Sequence, residues 1–199
     1  IKVVKFDSDS PKSSRSMYIG TINTAAGETM GESMAKAIGG EGEVAIVTGQ
    51  LGAANLNERI NGIKKSLAKY PKIKIVATEG TEDDLAKAVS TTESIFRAHP
   101  ALKGVFGVSQ VGGPAVSKVM ATKEFAVKKG AVKVFAFDDL PDTVKGVKEG
   151  YIQGIMVQRP VTMGKLSVEH LVDQITGKEN SPKDGDTGVN GVTAQNLDS

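Results

Sequence analysis

The segment Val132-Lys133-Val134-Phe135-Ala136-Phe137 is almost continuously apolar and ends on two carboxylates, Asp138-Asp139. Similar short apolar runs occur at 44–47, 73–76 and 105–108. The four runs start at residues 44, 73, 105 and 132, so they are spaced by 29, 32 and 27 residues. This spacing suits one strand plus one crossover helix, and nearly continuous apolar runs are typical of strands buried on both faces. The sequence therefore predicts an α/β fold with a parallel sheet.

The segments between these runs carry apolar residues at helical spacing. Helices are predicted over 25–38, 55–69, 81–97 and 163–175. The third is expected to start at Thr81, because a hydroxyl followed by three acidic residues suits the positive end of a helix. Further strands are predicted over 1–6, 152–157 and 189–194.

Composition excludes several classes of protein. The 199 residues include 25 Lys and Arg against 23 Asp and Glu, a net charge of +2 that provides no long-range field for nucleic acid or an anionic membrane. The absence of cysteine excludes disulfides, thiolate zinc sites and a cysteine nucleophile. The two histidines are 71 positions apart, so no metal centre is expected. The longest uncharged stretches have 14 residues, whereas a membrane-spanning helix needs about 20.

Polar side chains follow each predicted strand, where open α/β sheets bind their ligands. Two of these positions, Asp7 and Asp138, directly follow an aromatic residue. Charged and amide groups beside aromatic rings suit a ligand with many hydroxyls. The polar groups at these strand ends are Asp7, Thr48, Gln50, Ser109, Gln110, Asp138, Asp139, Gln158 and Arg159.

Two other kinds of chemistry fit the same region less well. Asp7 and Asp138 could act as an acid and base pair, but the sequence offers no histidine base and no G-x-S-x-G elbow. The loop at 48–54 follows a strand and enters a helix, yet it lacks the glycine spacing of a dinucleotide site. We therefore predict no catalytic residues, no metal and no cofactor, and an enzyme remains a minor alternative that turnover assays would test.

An ordered series of short motifs resembles the periplasmic sugar-binding proteins of the ribose-binding type. The resemblance covers essentially the whole chain and implies a type I periplasmic binding protein fold, a three-layer α/β sandwich in which two lobes joined by hinge strands close on a sugar. Its main motifs are Phe6-Asp7-Ser8-Asp9, Tyr18-Ile19-Gly20-Thr21-Ile22-Asn23, Asn57-Glu58-Arg59-Ile60-Asn61-Gly62-Ile63, Ala98-His99-Pro100, Val134-Phe135-Ala136-Phe137-Asp138 and Gln158-Arg159-Pro160.

The resemblance also implies domain boundaries. Residues 1–23 would end the N-terminal lobe, 24–158 would form a complete C-terminal lobe, 159–178 would be an N-terminal-lobe helix, and 179–199 would return to the C-terminal lobe. Because the chain opens directly on a predicted strand, we expect an N-terminally truncated family member. Such a fragment is expected to bind sugar poorly and to self-associate as a dimer, since a strand without partners templates pairing with another chain.

Site roles follow from the resemblance residue by residue. It implies that Asp7 and Asp138 accept from sugar hydroxyls, that Arg59 donates to them, that Phe137 packs on the sugar ring and that Gln158 donates near the hinge. Ser109 and Gln110 occupy positions where ribose binders usually have Asn-Asp, and Ser8 stands where they usually have Arg, so ribose itself is not the expected ligand. Without the resemblance, Arg59 would be expected on an exposed helix face, paired with Glu58.

The functional prediction is the solute-binding component of a carbohydrate ABC importer. Its partners would be a monosaccharide and a transporter permease, with no nucleic acid. Its expected location is periplasmic, or extracytoplasmic with a lipid anchor, although this chain contains no signal peptide. The alternative is the effector-binding core of a sugar-responsive transcription regulator of the same fold. The encoded sequence upstream of Ile1 would distinguish a secretory signal from a DNA-binding module.

Overall fold

The computed structural model describes residues 1–178 and 183–197. In chain order, the elements are β1 (Val4–Phe6), β2 (Met17–Gly20), α1 (Asn23–Ala37), β3 (Glu41–Thr48), α2 (Ala54–Leu67), β4 (Lys72–Gly80), α3 (Leu85–Ala98), β5 (Leu102–Gly107), α4 (Gly112–Met120), a 3-10 turn (Ala126–Lys128), β6 (Lys133–Phe137), α5 (Pro141–Lys148), β7 (Gly154–Val157), α6 (Pro160–Ile175), β8 (Gly185–Asp186) and β9 (Asn190–Val192). The strands form a six-stranded sheet in the order β4-β3-β5-β6-β7-β9, the large sheet, and a three-stranded sheet in the order β1-β2-β8, the small sheet.

The large sheet is the centre of a three-layer sandwich. Strands β4, β3, β5, β6 and β7 are parallel, and only β9 at the edge runs antiparallel to its neighbour β7. Helices α1 and α2 cover one face, and α3, α4 and α5 cover the other. The predicted α/β fold with a parallel sheet is confirmed.

Close contact between α1 and α2 determines where the first residues of α2 lie. A Cβ atom added at Gly62 of α2 would overlap the carbonyl oxygen of Thr24 in α1, and one added at Gly27 of α1 would overlap the carbonyl oxygen of Arg59. The two helix backbones therefore approach each other at glycines, as close packing requires. This packing draws Arg59 of α2 inward, towards the carboxyl ends of the strands.

The small sheet is covered on one side by α6. Met163 of α6 packs against Met17 and Ile19 of β2 in a separate apolar cluster. The opposite side of α6 is exposed and apolar, as is the nearby Phe6 of β1. The exposed apolar residues of α6 are Val161, Val168, Val172 and Ile175.

The chain returns to the large sheet later than predicted. Strand β8 pairs with β2 of the small sheet, and only β9 pairs with β7 of the large sheet. The crossing therefore falls between Asp186 and Asn190, where Gly188 has a φ of 69°, and the expectation that all of 179–199 belongs with the large sheet is wrong at β8. Residues 179–182 and 198–199 of that segment lie outside the described residues.

The start of α3 also differs from the prediction. Glu82 and Asp83 have φ values of 56° and 58°, which a right-handed helix does not allow. The Asp84 carboxylate accepts a hydrogen bond from the backbone N–H of Lys87 at 2.7 Å and is therefore the N-cap. The Thr81 hydroxyl instead donates to the carbonyl oxygen of Thr48 at 2.8 Å, fastening this loop to the end of β3.

Candidate functional site

A cleft of about 400 Å³ opens at the carboxyl ends of the strands, between the small sheet and the large one. Its size lies within the range of roughly 300–1,000 Å³ that is usual for small-molecule sites. Six of the seven predicted site residues line it, and Phe137 does not. The lining residues are Asp7, Ser8, Gln50, Ala53, Asn55, Leu56, Arg59, Asp83, Ser109, Gln110, Asp138 and Gln158.

Asp7 and Asp138 enter the cleft from the two different sheets in the same backbone conformation. Each directly follows a strand, and their φ values are 62° and 67°. The backbone N–H of Asp7 donates to Ile19 at 3.2 Å, and that of Asp138 donates to Met156 at 2.9 Å. Each aspartate thus takes the last ladder bond of its strand and then turns left-handed, a conformation that aspartate tolerates better than most residues.

The Asp138 carboxylate is held by a neighbour in an environment that is largely removed from water. Gln158 donates through Nε2 to Oδ1 of Asp138 at 2.9 Å. Burial raises the pKa of Asp138, and the Gln158 hydrogen bond and the charge of Arg59 oppose that rise. A carboxylate with few competing waters accepts strong hydrogen bonds from a ligand hydroxyl.

Arg59 is buried, with 2% of its surface exposed, so the exposed helix position expected from the residues alone is wrong. Its Nε donates to Oδ1 of Asn23 at 2.9 Å, and its Nη1 donates to the carbonyl oxygen of Val108 at 2.9 Å. Burial lowers the pKa of Arg59, and Asp138 and Asp7 oppose this change. Arginine nevertheless stays charged in proteins, and the remaining nitrogen, Nη2, is the part of the fork left for the cleft.

Phe137 lies below the cleft floor, contrary to the expected packing on a sugar ring. Its side chain is fully buried, and the guanidinium carbon of Arg59 lies 3.8 Å from the centre of its ring. Alternate residues of a strand point to opposite faces, so Phe137 joins the core under α1 and α2. Arg59 then covers the ring face that the prediction had assigned to the ligand.

Ser109 and Gln110 follow β5 at the same edge of the sheet. Ser109 is buried, and its Oγ has no hydrogen-bond partner in the described part of the chain. Gln110 is exposed and lines the cleft.

Sequence reasoning placed Gln50 at the ligand-binding edge of the sheet but gave it no role in the site, and it did not indicate Asn55 or Asp83. Gln50 follows β3, and its position at a strand end was the available signal. Asp83 reaches the cleft through the left-handed turn at 82–83, where its carboxylate packs against Gly49. The acidic run that contains Asp83 has the pattern of a helix start, which concealed this turn.

The chain passes between the two sheets three times: from β2 to α1, from β7 to α6 and from β8 to β9. The first two connections contact the site directly. Thr21, after β2, donates from its hydroxyl to Oε1 of Gln158 at 3.0 Å. Asn23 donates through Nδ2 to the carbonyl oxygen of Thr21 at 3.2 Å while accepting from Arg59. At the third connection, Thr187 donates from its backbone N–H to Gly20 at 2.8 Å.

Metal-binding clusters and membrane-spanning helices are both absent from the described residues. Within 1–178 and 183–197, no group of three or more His, Asp or Glu side chains is arranged to hold a metal ion. In the same residues, no helix combines the length and the apolar character needed to cross a membrane.

The sequence pattern of the family described as "periplasmic binding protein domain" matches residues 1–179. The chain belongs to the periplasmic binding protein family. Among curated family members, it is 28% identical over 157 residues to the D-allose-binding periplasmic protein of Escherichia coli K12, which covers 78% of this chain and 50% of that protein. It is also 28% identical over 185 residues to the xylose/arabinose-binding protein XylF of Sulfolobus acidocaldarius, covering 90% and 45%.

Solved periplasmic binding proteins share this fold. An ABC transporter solute-binding protein from Burkholderia graminis, crystallised with D-arabinose, is 69% identical with a TM-score of 0.98, over all of this chain and 69% of that one. The glucose-galactose binding protein GanP from Geobacillus stearothermophilus is 30% identical with a TM-score of 0.94, over all of this chain and 70% of that one. The fold is therefore that of the type I periplasmic binding proteins. The chain spans about half the length of the curated relatives it matches.

Proposed function

We propose that this protein is the solute-binding component of a carbohydrate ABC importer and that it binds a monosaccharide without covalent chemistry. The observation that carries the proposal is the arrangement of one buried guanidinium and one partly buried carboxylate in a single cleft. Arg59 is fixed below the cleft, and its Nη2 remains available to a ligand. Gln158 holds Asp138 beside Arg59. A donor and an acceptor that are held in place before binding suit the hydroxyls of a sugar.

Each predicted site residue then has a role. Asp7 and Asp138 accept from sugar hydroxyls, Arg59 donates, and Gln158, Ser109 and Gln110 complete the polar wall. Phe137 acts through Arg59 by supporting the guanidinium from below at 3.8 Å. Since Asp7 comes from the small sheet and the others from the large sheet or its connections, the sugar would lie between the two lobes.

The lobes are proposed as predicted, with one change. Residues 1–23 and 159–178 would belong to the N-terminal lobe and 24–158 to the C-terminal lobe. Strand β8 would join the N-terminal lobe because it pairs with β2. A pocket closed by the movement of two lobes about their connections binds by enclosing its ligand.

Transport, rather than catalysis, is the role that the cleft supports. Neither histidine lines the cleft, and Asp138 is engaged with Gln158. We propose a periplasmic or otherwise extracytoplasmic location and a permease as the protein partner, as in transport systems of this family. If the gene encodes a DNA-binding module before Ile1, the regulator alternative replaces this proposal. Turnover of glycosides or sugar phosphates would instead support the enzyme alternative.

The direct test is titration calorimetry of the full-length gene product with pentoses and hexoses. D-arabinose is the first compound to try, because the Burkholderia graminis relative was crystallised with it. Arg59→Met should weaken binding at least about 30-fold, since losing a desolvated charged partner costs roughly 2–5 kcal/mol. Arg97→Met is the matched control, because Arg97 is a half-exposed arginine on α3 that pairs with Glu124 at 3.0 Å. Absence of binding by the parent protein across the panel, or equal binding by both variants, would overturn the proposal.

A further inference from the structure

The connection between β2 and α1 has a feature that its role as a linker does not require. Thr21 in this connection and Asn23, the first residue of α1, are each only 2% exposed, although residues that link two elements normally lie on the surface. Thr21 donates a hydrogen bond to Gln158 and Asn23 accepts one from Arg59, and both partners line the cleft. Buried polar side chains in a connection have a cost unless they are satisfied, so the partners they satisfy are informative.

Asn23 is the only side chain that holds Nε of Arg59 among the described residues. Its Oδ1 accepts from Nε at 2.9 Å, and its Nδ2 donates to the carbonyl oxygen of Thr21 at 3.2 Å. The amide is therefore oriented by its own backbone connection before it meets the guanidinium. Because Val108 holds Nη1 and Phe137 supports the plane of the fork, Asn23 fixes the last rotation that would swing Nη2 away from the cleft.

Thr21 acts in the same way on the other polar pair of the cleft. Its hydroxyl donates to Oε1 of Gln158 at 3.0 Å, which leaves Nε2 of Gln158 to donate to Asp138 at 2.9 Å. The Thr21 donor favours this orientation of the Gln158 amide. An amide flipped by 180° would turn Oε1 towards the Asp138 carboxylate, where two acceptors would face each other without a donor.

We infer that Thr21 and Asn23 are positioning residues, which orient Gln158 and Arg59 for ligand binding from the connection between the lobes. The inference rests on the proposed function for its effect on sugar affinity, but not for its effect on Arg59 itself. It implies that the passage from β2 into α1 contributes to the binding site as well as joining the two sheets.

The first experiment measures Arg59 without any ligand. In ¹⁵N-labelled full-length protein, the Nε–H of Arg59 should give a slowly exchanging signal, assigned by its disappearance in Arg59→Met. Asn23→Leu removes the acceptor, so exchange of this signal should become at least tenfold faster. Asn23→Ala serves as the second variant if Asn23→Leu does not fold. An unchanged Arg59 signal in a folded Asn23 variant would overturn the inference.

The second experiment measures sugar affinity in a double-mutant cycle. Asn23→Leu and Thr21→Val should each weaken binding about tenfold, equivalent to about 1.4 kcal/mol. In the Arg59→Met background, Asn23→Leu should have no further effect on whatever affinity remains, because its action passes through Arg59. Additive losses in the double variant would overturn the positioning role.

Thr92→Val is the matched control for stability. Thr92 is fully buried in α3, away from the cleft, and its hydroxyl donates to the carbonyl oxygen of Ala88 at 2.7 Å. This variant should lower the melting temperature by a similar amount while leaving sugar affinity unchanged, and an equal loss of affinity would assign the Thr21 and Asn23 effects to stability alone and overturn the inference. If the parent protein binds no sugar, the proposed function fails, and the Arg59 exchange measurement decides the inference by itself.

Discussion

At the scale of single residues, Asp138 combines a contribution to binding with a cost to folding. Its carboxylate has a raised pKa because burial disfavours its ionised form. The cost is absent at pH values below the ordinary aspartate pKa, where the carboxyl is protonated in both the folded and unfolded states. It appears as the pH rises through the raised pKa of the folded state.

We therefore expect Asp138→Asn to melt at a higher temperature than the parent above that pH and to bind sugar at least about 30-fold more weakly, since breaking a desolvated charged hydrogen bond costs roughly 2–5 kcal/mol. Asparagine tolerates the left-handed φ of 67° at this position. Calorimetry and thermal melts across pH 4–8 would check both effects. Asp139→Asn is the control, because Asp139 is the exposed neighbour outside the cleft lining. Affinity within threefold of the parent would contradict the role of Asp138.

Most of the cleft could be predicted from sequence because its residues follow strands. Asp7, Asp138 and Gln158 each occupy the first positions after an apolar run, and the sheet brings such positions to one edge. The side of the strand to which Phe137 points, and the burial of Arg59, were not predictable in the same way. The direction of Phe137 depends on which face of the sheet α1 and α2 cover. The burial of Arg59 depends on how closely α1 approaches α2, a contact between residues far apart in the chain.

At the scale of secondary-structure elements, the contact between α1 and α2 depends on Gly62. A side chain at this position would overlap the carbonyl oxygen of Thr24, which belongs to backbone and cannot rotate away. Gly62→Ala should therefore destabilise the protein by roughly 1–3 kcal/mol through overpacking. Urea unfolding would measure the change.

Gly164 of α6 provides the opposite case. It is also a helix glycine, but nothing lies within 4 Å of the position a Cβ atom would take. Gly164→Ala should stabilise the protein by up to about 1 kcal/mol, because alanine is the better helix former. If Gly62→Ala stabilised the protein as Gly164→Ala does, the close approach of α1 and α2 at Gly62 would be wrong.

The predicted elements were most accurate where apolar patterns were longest. The runs at 44–47 and 73–76 lie within β3 and β4, and the helix expected over 55–69 lies at 54–67. The sequence pattern did not indicate α4, because Gly112, Gly113 and Pro114 are poor helix formers whose places are fixed by packing against Gly107 and Ala136. The left-handed turn at 82–83 was missed for a similar reason, since its conformation depends on hydrogen bonds to Thr48 and Gly49.

At the scale of the whole molecule, the exposed apolar side of α6 predicts self-association of the 199-residue chain. Val168 and Val172 lie on this side, and Phe6 of the small sheet is also exposed. Exposed apolar patches of this kind mark interfaces. Light scattering of the 199-residue chain should show a dimer, and Val168→Glu with Val172→Glu should convert it to a monomer. Val127→Glu, at a still more exposed valine in the 3-10 turn before β6, should leave the dimer intact. A monomeric parent chain would contradict this prediction.

The three connections between the sheets also predict a change of lobe angle on binding. These 199 residues contain no cysteine. Cysteines introduced at Ser14, beside the small sheet, and at Lys123, after α4, would therefore be the only thiols among them. Both positions are exposed. In the full-length protein, the distance between spin labels at these positions should shift when sugar is added, as expected for closure about a hinge. An unchanged distance at saturating sugar would contradict hinge movement.

The way in which Arg59 is anchored also determines which solutes the cleft would refuse. Arg59 donates its hydrogen bonds to the uncharged oxygens of Asn23 and Val108, so these bonds do not neutralise its charge. The lining carries one guanidinium against the carboxylates of Asp7, Asp83 and Asp138, which leaves an excess of negative charge facing any guest. We therefore expect this cleft to favour neutral polyols and to disfavour phosphorylated or carboxylated ones, because negative charge on a solute would meet the negative lining.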